Sequence, residues 1–175
     1  MSEATHEAII EAGDLAIRSL RIDEAPMLAE WFTDPEVYRR WWGHEDSPYE
    51  PHEIEGWFSL PGYRPDRFLI VEDAGVPVGF AQWGASDRAH LDANIHGFIE
   101  QSARGRGIGP RALRLLAEYI VERKGYYRAK AAPEPYNDAA IRTCERAGFR
   151  LHPGMPNGAW RGQMVYPRSR LDIPE

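Results

Sequence analysis

The first thing this chain lacks is the means to staple itself. Its single cysteine, Cys144, has no second thiol to pair with, and no Cys/His cluster has zinc-ligand spacing. A reducing compartment and the absence of any metal site are therefore expected. No run approaches the ~18 consecutive apolar residues that a membrane span needs. The opening Met1-Ser2-Glu3-Ala4-Thr5-His6 lacks the basic-then-apolar order of a secretory signal. A cytoplasmic protein with no membrane partner is the expectation. A basic surplus is missing too: the formal net charge is −6, which argues against nucleic acid as the main partner, because phosphate-binding proteins usually carry excess positive charge. Internal repeats and low-complexity segments are also absent. What remains is 175 residues at 43% hydrophobic composition, a size that fits one globular domain across 1–175, burying about 70% of the surface its unfolded chain would expose.

The charge is unevenly spread. Between Asp34 and Asp66 the acids Asp34, Glu36, Glu45, Asp46, Glu50, Glu53, Glu55 and Asp66 outnumber Arg39, Arg40 and Arg64, a balance that would suit a cationic substrate. Between Gln101 and Lys130 the bases Arg104, Arg106, Arg111, Arg114, Arg123, Lys124, Arg128 and Lys130 face only Glu118 and Glu122, which would suit phosphates. The plain alternative is a pair of solvated faces.

Periodicity divides the chain into elements. The termini 1–13 and 168–175 carry no clear pattern and are expected to be loose. Leu15 to Leu20 alternates like a strand, and Asp23 is placed to cap a helix over Pro26 to Phe32. Asp34-Pro35 restarts a short helix, and Pro51 to Phe58 reads as another helical piece closed by Pro61-Gly62. Phe68 to Val71 and Val76 to Trp83 flank the turn signal Asp73-Ala74-Gly75 and so form a hairpin, with Pro77 early in its strand. Ala93 to Glu100 is a fourth strand, followed by a glycine-rich turn and a helix from Pro110 to Lys124. Leu113, Leu116, Ala117 and Ile120 line one face of that helix, and Gly125 ends it. Tyr126 to Ala132 is a fifth strand, Asn137 to Ala147 a second amphipathic helix, and the closing strands lie at Phe149 to Leu151 and Gln163 to Tyr166. The order is β-α-α-β-β-β-α-β-α-β-β.

The turn Arg104-Gly105-Arg106-Gly107-Ile108-Gly109 carries the chemistry. A strand that ends in such a turn and opens a helix presents unpaired backbone N–H groups at the positive end of the helix dipole, where an anion is stabilised. Gly105, Gly107 and Gly109 let a phosphate approach the backbone, while Arg104, Arg106 and Arg111 add charged donors. The alternative is a tight connection with no ligand. A Walker A loop is excluded because no Gly-Lys-Ser/Thr follows, and the spacing is Gly-x-Gly-x-Gly rather than that of dinucleotide folds. A dinucleotide fold also wants an acid closing the next strand, and Tyr127 to Ala132 contains none.

These residues resemble the Q/R-x-x-G-x-G/A signature of GNAT acetyltransferases. Asn137-Asp138-Ala139-Ala140-Ile141-Arg142 and then Cys144-Glu145-Arg146-Ala147-Gly148-Phe149 resemble the second signature of that family, N-x-x-A-I-R-x-Y-x-K-x-G-F. The resemblance covers Leu15 to about Tyr166 and implies an α+β (α/β) GNAT fold, a mixed central β-sheet with splayed fourth and fifth strands flanked by helices. It implies an acetyl-CoA-dependent transferase, with backbone groups of Phe98, Ile99 and Glu100 meeting pantetheine, the turn from Arg104 through Pro110 and Arg111 holding the diphosphate, and Asn137 steadying the cofactor arm. A helix N-cap is the other role open to Asn137.

Trp41-Trp42-Gly43-His44-Glu45-Asp46, Gly79-Phe80-Ala81-Gln82 and Ala140-Ile141-Arg142 resemble segments of the aminoglycoside 6'-N-acetyltransferase group. That likeness implies an aminoglycoside-like acceptor, antibiotic resistance as the outcome, and Trp41, Trp42, Glu45, Asp46 and Gln82 as substrate contacts. Flat aromatic walls beside carboxylates suit a polyamine, and core packing is the alternative for the tryptophans. Two positions depart from the pattern. Ile95-His96-Gly97 stands where the group has I-D-Q, and Cys144 stands where such enzymes commonly place an acidic tyrosine. The first departure, with Glu134-Pro135-Tyr136-Asn137, resembles siderophore lysine acyltransferases instead. A third possibility is a non-catalytic acyl-CoA-binding module. His96 is the candidate base and Cys144 the candidate acid, against a core histidine and a small buried hydrophobe. A monomer and a homodimer are both open.

Overall fold

The computed structural model describes residues 9–39, 48–85, 92–151 and 164–167. They build an eight-stranded mixed sheet in the order β1-β2-β3-β4-β5-β6-β8-β7 with helices on it. Two compact units share the chain: residues 1–81 with 98–104, and residues 82–97 with 105–175.

In the first unit β1 (Ile10–Ala12) pairs antiparallel with β2 (Leu15–Ser19), and β2 pairs antiparallel with β3 (Phe68–Asp73) from Leu15↔Asp73 to Ser19↔Leu69. The expected loose start is therefore corrected at Ile10–Ala12. Too short to show a period, this piece is recruited by the open edge of β2 across the turn at Gly13, whose φ of 67° is left-handed. Ala74 and Gly75, with φ of 51° and 77°, form the tight turn from β3 into β4 (Val76–Ala85). Pro77 lies second in β4, where the missing N–H is tolerated.

Among the described residues, proline lies in the first turn of the three helices between β2 and β3: α1 (Ala25–Trp31), α2 (Pro35–Tyr38) and α3 (Pro51–Trp57). Its fixed φ suits a first turn, where its missing N–H would be unpaired anyway. Asp23 does not cap. A 3-10 turn over Ile22–Glu24 precedes α1, and the Glu24 carboxylate accepts from the Arg21 N–H at 2.9 Å. Asp34 caps α2 as its type dictates, accepting from Glu36 N–H at 2.9 Å. Leu28, Phe32, Ile54, Ile70 and Phe80 form the core of this unit. The Phe32 ring meets those of Tyr49 at 4.9 Å, Phe98 at 5.3 Å and Phe80 at 6.3 Å, edge-on, an arrangement that adds to burial because ring edges and faces carry opposite partial charge.

Beside that core lies a buried ion cluster. Arg18 donates to both Glu24 oxygens, at 2.9 and 2.6 Å, and to Glu72 at 2.7 Å. The strand pattern cannot show this, because Arg18 reads as an outward residue of an alternating run.

The second unit contains α4 (Ile108–Glu118), which passes into a π-helical turn at Tyr119–Arg123 and stops at Gly125. Lys124 N–H bonds to Tyr119 O, five residues back. Leu116, Ala117 and Ile120 are buried as their spacing predicts, Leu113 is half-buried, and the π turn brings Val121 in beside them. Next come β6 (Arg128–Ala131), α5 (Asp138–Ala147), β7 (Arg150–Leu151) and β8 (Met164–Pro167). β8 pairs antiparallel with both β6 and β7. β6 is shorter than its pattern predicts. Pro133 and Pro135 follow at once, and proline supplies no ladder donor.

β5 (Asp92–Ile99), the strand read as the fourth, pairs parallel with β6 through Asp92↔Arg128, Ala93↔Ala129 and Asn94↔Lys130. There the ladder ends, and β5 runs on to Ile99. The parallel ladder thus covers only the start of β5, and Asp92 holds it there. That carboxylate bonds Arg128 at 2.7 and 3.0 Å and Lys130 at 3.0 Å. Burial pushes the Asp92 carboxyl up, but the two cations outweigh it and leave it below its ordinary value.

For Glu24 burial likewise pushes the carboxyl up, and the bonds from Arg18 and the Arg21 N–H bring it below its ordinary value. A depressed folded value means that this stabilisation is full above the unfolded value of about 4.3 and is lost as pH falls through the folded value. Glu24→Ala is expected to cost about 3–5 kcal/mol, since it strips one partner from a buried pair. The urea midpoint should drop accordingly, and acidification below about pH 4 should cost the variant less than the parent.

Candidate active site

The predicted site residues fall into the two units, and each half is built by its own local physics. In the first unit the end of β5 is held against β4, with Glu100 N–H donating to Val78 O at 2.9 Å. Backbone direction alternates along a strand, so Phe98 and Glu100 face β4, and Ile99 offers its N–H to the opposite edge. Gly79 allows this closeness: a Cβ there would lie 2.6 Å from Phe98 O and 2.8 Å from Ile99 Cδ1. Sequence reading had placed Gly79 only in a likeness to other proteins. The signal it missed is steric and needs the partner strand.

Glu100 has a further task. Its carboxylate accepts from Ser102 N–H at 2.9 Å and from the Ser102 hydroxyl, capping the 3-10 turn Gln101–Ala103. Of the three residues expected along a pantetheine arm, Ile99 is the one whose backbone points away from β4. Arg104 closes this half. Its Nε donates to Ile99 O at 2.8 Å and its Nη2 to the Asp34 carboxylate at 2.7 Å, so both are committed within the protein.

In the second unit Gly105 and Gly107 take φ of 79° and 77°, and Gly107 is the N-cap of α4. Apart from the adjoining residues of the chain, nothing lies within 4 Å of a Cβ built at either position. Glycine is required there by the left-handed backbone rather than by crowding. Having no side chain, Gly107 cannot cap the helix, so the first-turn N–H groups of Ile108 and Gly109 sit at the positive end of the dipole with no side-chain acceptor from their N-cap; Pro110 has no N–H to offer, and the intrahelical ladder begins at Arg111. Such a cradle fits a diphosphate. Arg106 and Arg111 flank it on the exposed side.

Asn137 and Cys144 share α5. The Asn137 Oδ1 accepts from Ala140 N–H at 3.2 Å, so the N-cap role is the one observed, and Nδ2 is the group a second role would use. Cys144 is 4% exposed, and burial pushes its thiol up to about 11, with Glu145 adding to the shift. It packs as a small apolar side chain. His96 and Gln82 are half-buried on β5 and β4, His96 lying two residues past the end of the β5–β6 ladder. Trp41, Trp42, Glu45 and Asp46 lie outside the described residues. Among the described residues no group of three or more His, Cys, Asp or Glu could hold a metal ion, and no helix is long and apolar enough to cross a membrane.

A family model of the acetyltransferase (GNAT) domain matches residues 14–150. The chain belongs to the GNAT acetyltransferase family. Within the family it is 29% identical over 151 residues to the lysine N-acyltransferase MbtK of Mycolicibacterium paratuberculosis, covering 78% of this chain and 65% of that protein. It therefore spans about two thirds of that relative's length. It is 26% identical over 149 residues to an aminoglycoside N(6')-acetyltransferase type 1 of Klebsiella pneumoniae, covering 77% and 73%. The solved structure of AAC(6')-Ib in complex with ribostamycin and coenzyme A superposes with a TM-score of 0.73 at 23% identity, covering 91% of this chain and 99% of that one. The GNAT fold read from the two signatures is thereby borne out.

Two glycines test the geometry by different routes. Gly79→Ala forces a Cβ against the backbone of Phe98 and is expected to cost about 1–3 kcal/mol. Gly107→Ala meets nothing beyond its chain neighbours and should cost only the left-handed penalty, about 1–2 kcal/mol. Denaturant midpoints of the two variants check this, and coenzyme A should stabilise the Gly79 variant as it does the parent but the Gly107 variant less.

Proposed function

We propose that this GNAT protein is an N-acyltransferase that moves an acetyl group from acetyl-CoA to the primary amine of a small cationic molecule, by direct attack. The observation that carries this reading is the α4 N-terminus, opened by a left-handed glycine that cannot cap it and flanked by Arg106 and Arg111. The two curated relatives, by their names, both acylate nitrogen on amine-bearing molecules.

Acetyl-CoA supplies a thioester, a carbonyl already activated toward nitrogen. The chain's own groups do the rest. The cradle of the Ile108 and Gly109 amides holds the diphosphate, and Ile99 N–H donates to the thioester oxygen, where charge grows as the nitrogen attacks. An alkylammonium with a pKa of about 10.4 must lose a proton before it can attack. His96 accepts it directly or through water, which an imidazole can do near neutral pH. The C–N bond forms, the C–S bond breaks, and the departing thiolate takes up a proton. At about 11 the Cys144 thiol stays protonated at neutral pH, yet its burial favours packing over contact with the reacting sulfur. No acyl-enzyme is needed.

An aminoglycoside-like acceptor is the preferred reading, on the acidic stretch from Asp34 to Asp66 and the Trp-Trp segment. Acylation of a lysine or hydroxylysine side chain is the second, favoured by His96 in place of an aspartate, by Glu134-Pro135 and by the lysine acyltransferase relative.

Thiol release from acetyl-CoA, measured against aminoglycosides, polyamines, lysine and hydroxylysine, separates these readings. Release with kanamycin-like amines and raised resistance on expression are expected. Release with hydroxylysine alone, faster with a longer acyl donor, moves the assignment to the second reading. Binding of acetyl-CoA with turnover of no amine defeats both and leaves a non-catalytic module. His96→Ala should lower kcat by about 10²–10⁴-fold if His96 is the base; an unchanged rate removes it from that role.

A further inference from the structure

The first residue of the glycine-rich signature is committed to partners within the protein. Arg104 Nε bonds to Ile99 O at 2.8 Å and its Nη2 to Asp34 Oδ2 at 2.7 Å. The other oxygen of Asp34, Oδ1, accepts the Glu36 N–H that starts α2. One carboxylate thus caps a helix and holds a guanidinium, and that guanidinium holds the last carbonyl of β5. The partners lie 70 residues apart in sequence. Asp34 is the better buried, at 17% side-chain exposure against 38% for Arg104. A planar fork suits two acceptors in different directions, whereas an ammonium would serve them as a single point charge.

We propose that Asp34 and Arg104 form a positioning clasp that fixes Ile99, the residue whose N–H faces away from β4, and that ties α2 to the start of the cofactor turn. This rests on the acyltransferase reading above, in which Ile99 N–H donates to the thioester oxygen. Arg104 is then a positioning residue, and the diphosphate is held by the α4 amides with Arg106 and Arg111. Losing the clasp leaves cofactor affinity nearly intact and damages the step that needs Ile99 in place, because small misplacements of a transition-state donor cost rate more than binding.

Asp34→Asn separates the two tasks of Asp34, because asparagine caps a helix as well as aspartate but carries no charge for Arg104. For Asp34→Asn and Arg104→Gln the dissociation constant of coenzyme A, measured by calorimetry, should stay within about twofold while kcat falls about tenfold. Arg104→Lys should restore little of that loss. A tenfold or greater loss of coenzyme A affinity in Arg104→Gln with kcat retained would make Arg104 a phosphate ligand and overturn the clasp.

A second readout needs no turnover. Val37 and Tyr38 N–H both bond to Asp34 O, at 2.8 and 3.1 Å, so their hydrogen exchange reports on the start of α2. Coenzyme A should slow that exchange in the parent protein and not in Arg104→Gln. Equal slowing in both, or none in the parent although coenzyme A binds, also overturns the clasp. Failure of the parent to bind coenzyme A at all would instead sink the acyltransferase reading on which the clasp rests.

Discussion

A parallel ladder only as long as Asp92–Asn94 sets the terms for the rest of this molecule. β6 ends because prolines follow it, and β5 continues because nothing in Ile95 to Ile99 prevents an extended backbone. At the closed end, one aspartate shared by Arg128 and Lys130 makes the pairing costly to undo, since separating a buried carboxylate from its cations strands charge in a low-dielectric setting. At the other end β5 is held by β4 and by the Arg104 guanidinium on the Ile99 carbonyl. The backbone of Ile99 is then directed away from its neighbour strand, and in a sheet such direction is otherwise consumed by pairing.

Ionic networks centred on arginine join elements at two places. Arg18 gathers Glu24 and Glu72 and links β2, the 3-10 turn and β3. Arg104 gathers Asp34 and a backbone carbonyl and links α2 to the end of β5. The two differ in energy. Arg18 and Glu24 have side-chain exposures of 7% and 6%, so the pair is tight, costly to break and tied to pH. Arg104 is exposed enough for water to screen it, and an exposed pair contributes at most about 1 kcal/mol to stability. Its effect lies in geometry, which a weak but directional contact can still fix.

Helix termini carry the remaining chemistry, and their two forms have opposite consequences. Asn137 at the start of α5 and Asp34 at the start of α2 spend a side-chain oxygen on the first turn. Gly107 at the start of α4 spends nothing and holds the backbone left-handed. A capped terminus is satisfied within the protein, whereas an uncapped one keeps its donors for an anion from outside.

Much of this was legible in the residues themselves. Glycine spacing, proline-led helices, the Leu116-Ala117-Ile120 stripe and the Asp73-Ala74-Gly75 turn are local properties, because backbone propensity and helical period act over a few residues, and each appears where it was read. The cap at Asp23 failed because Arg18, a residue of the preceding strand, drew the neighbouring Glu24 into place. β1 was missed because its pairing is supplied by β2. Cys144, read as an acid or a packed apolar residue, became a matter of burial, which no spacing encodes. Sequence alone thus determined the family, the fold and the glycine-rich turn that opens α4. Tertiary structure decided which donors remain available, that Arg104 answers to Asp34, and where β5 and β6 part, because these depend on charges and backbones that meet only when distant segments fold together.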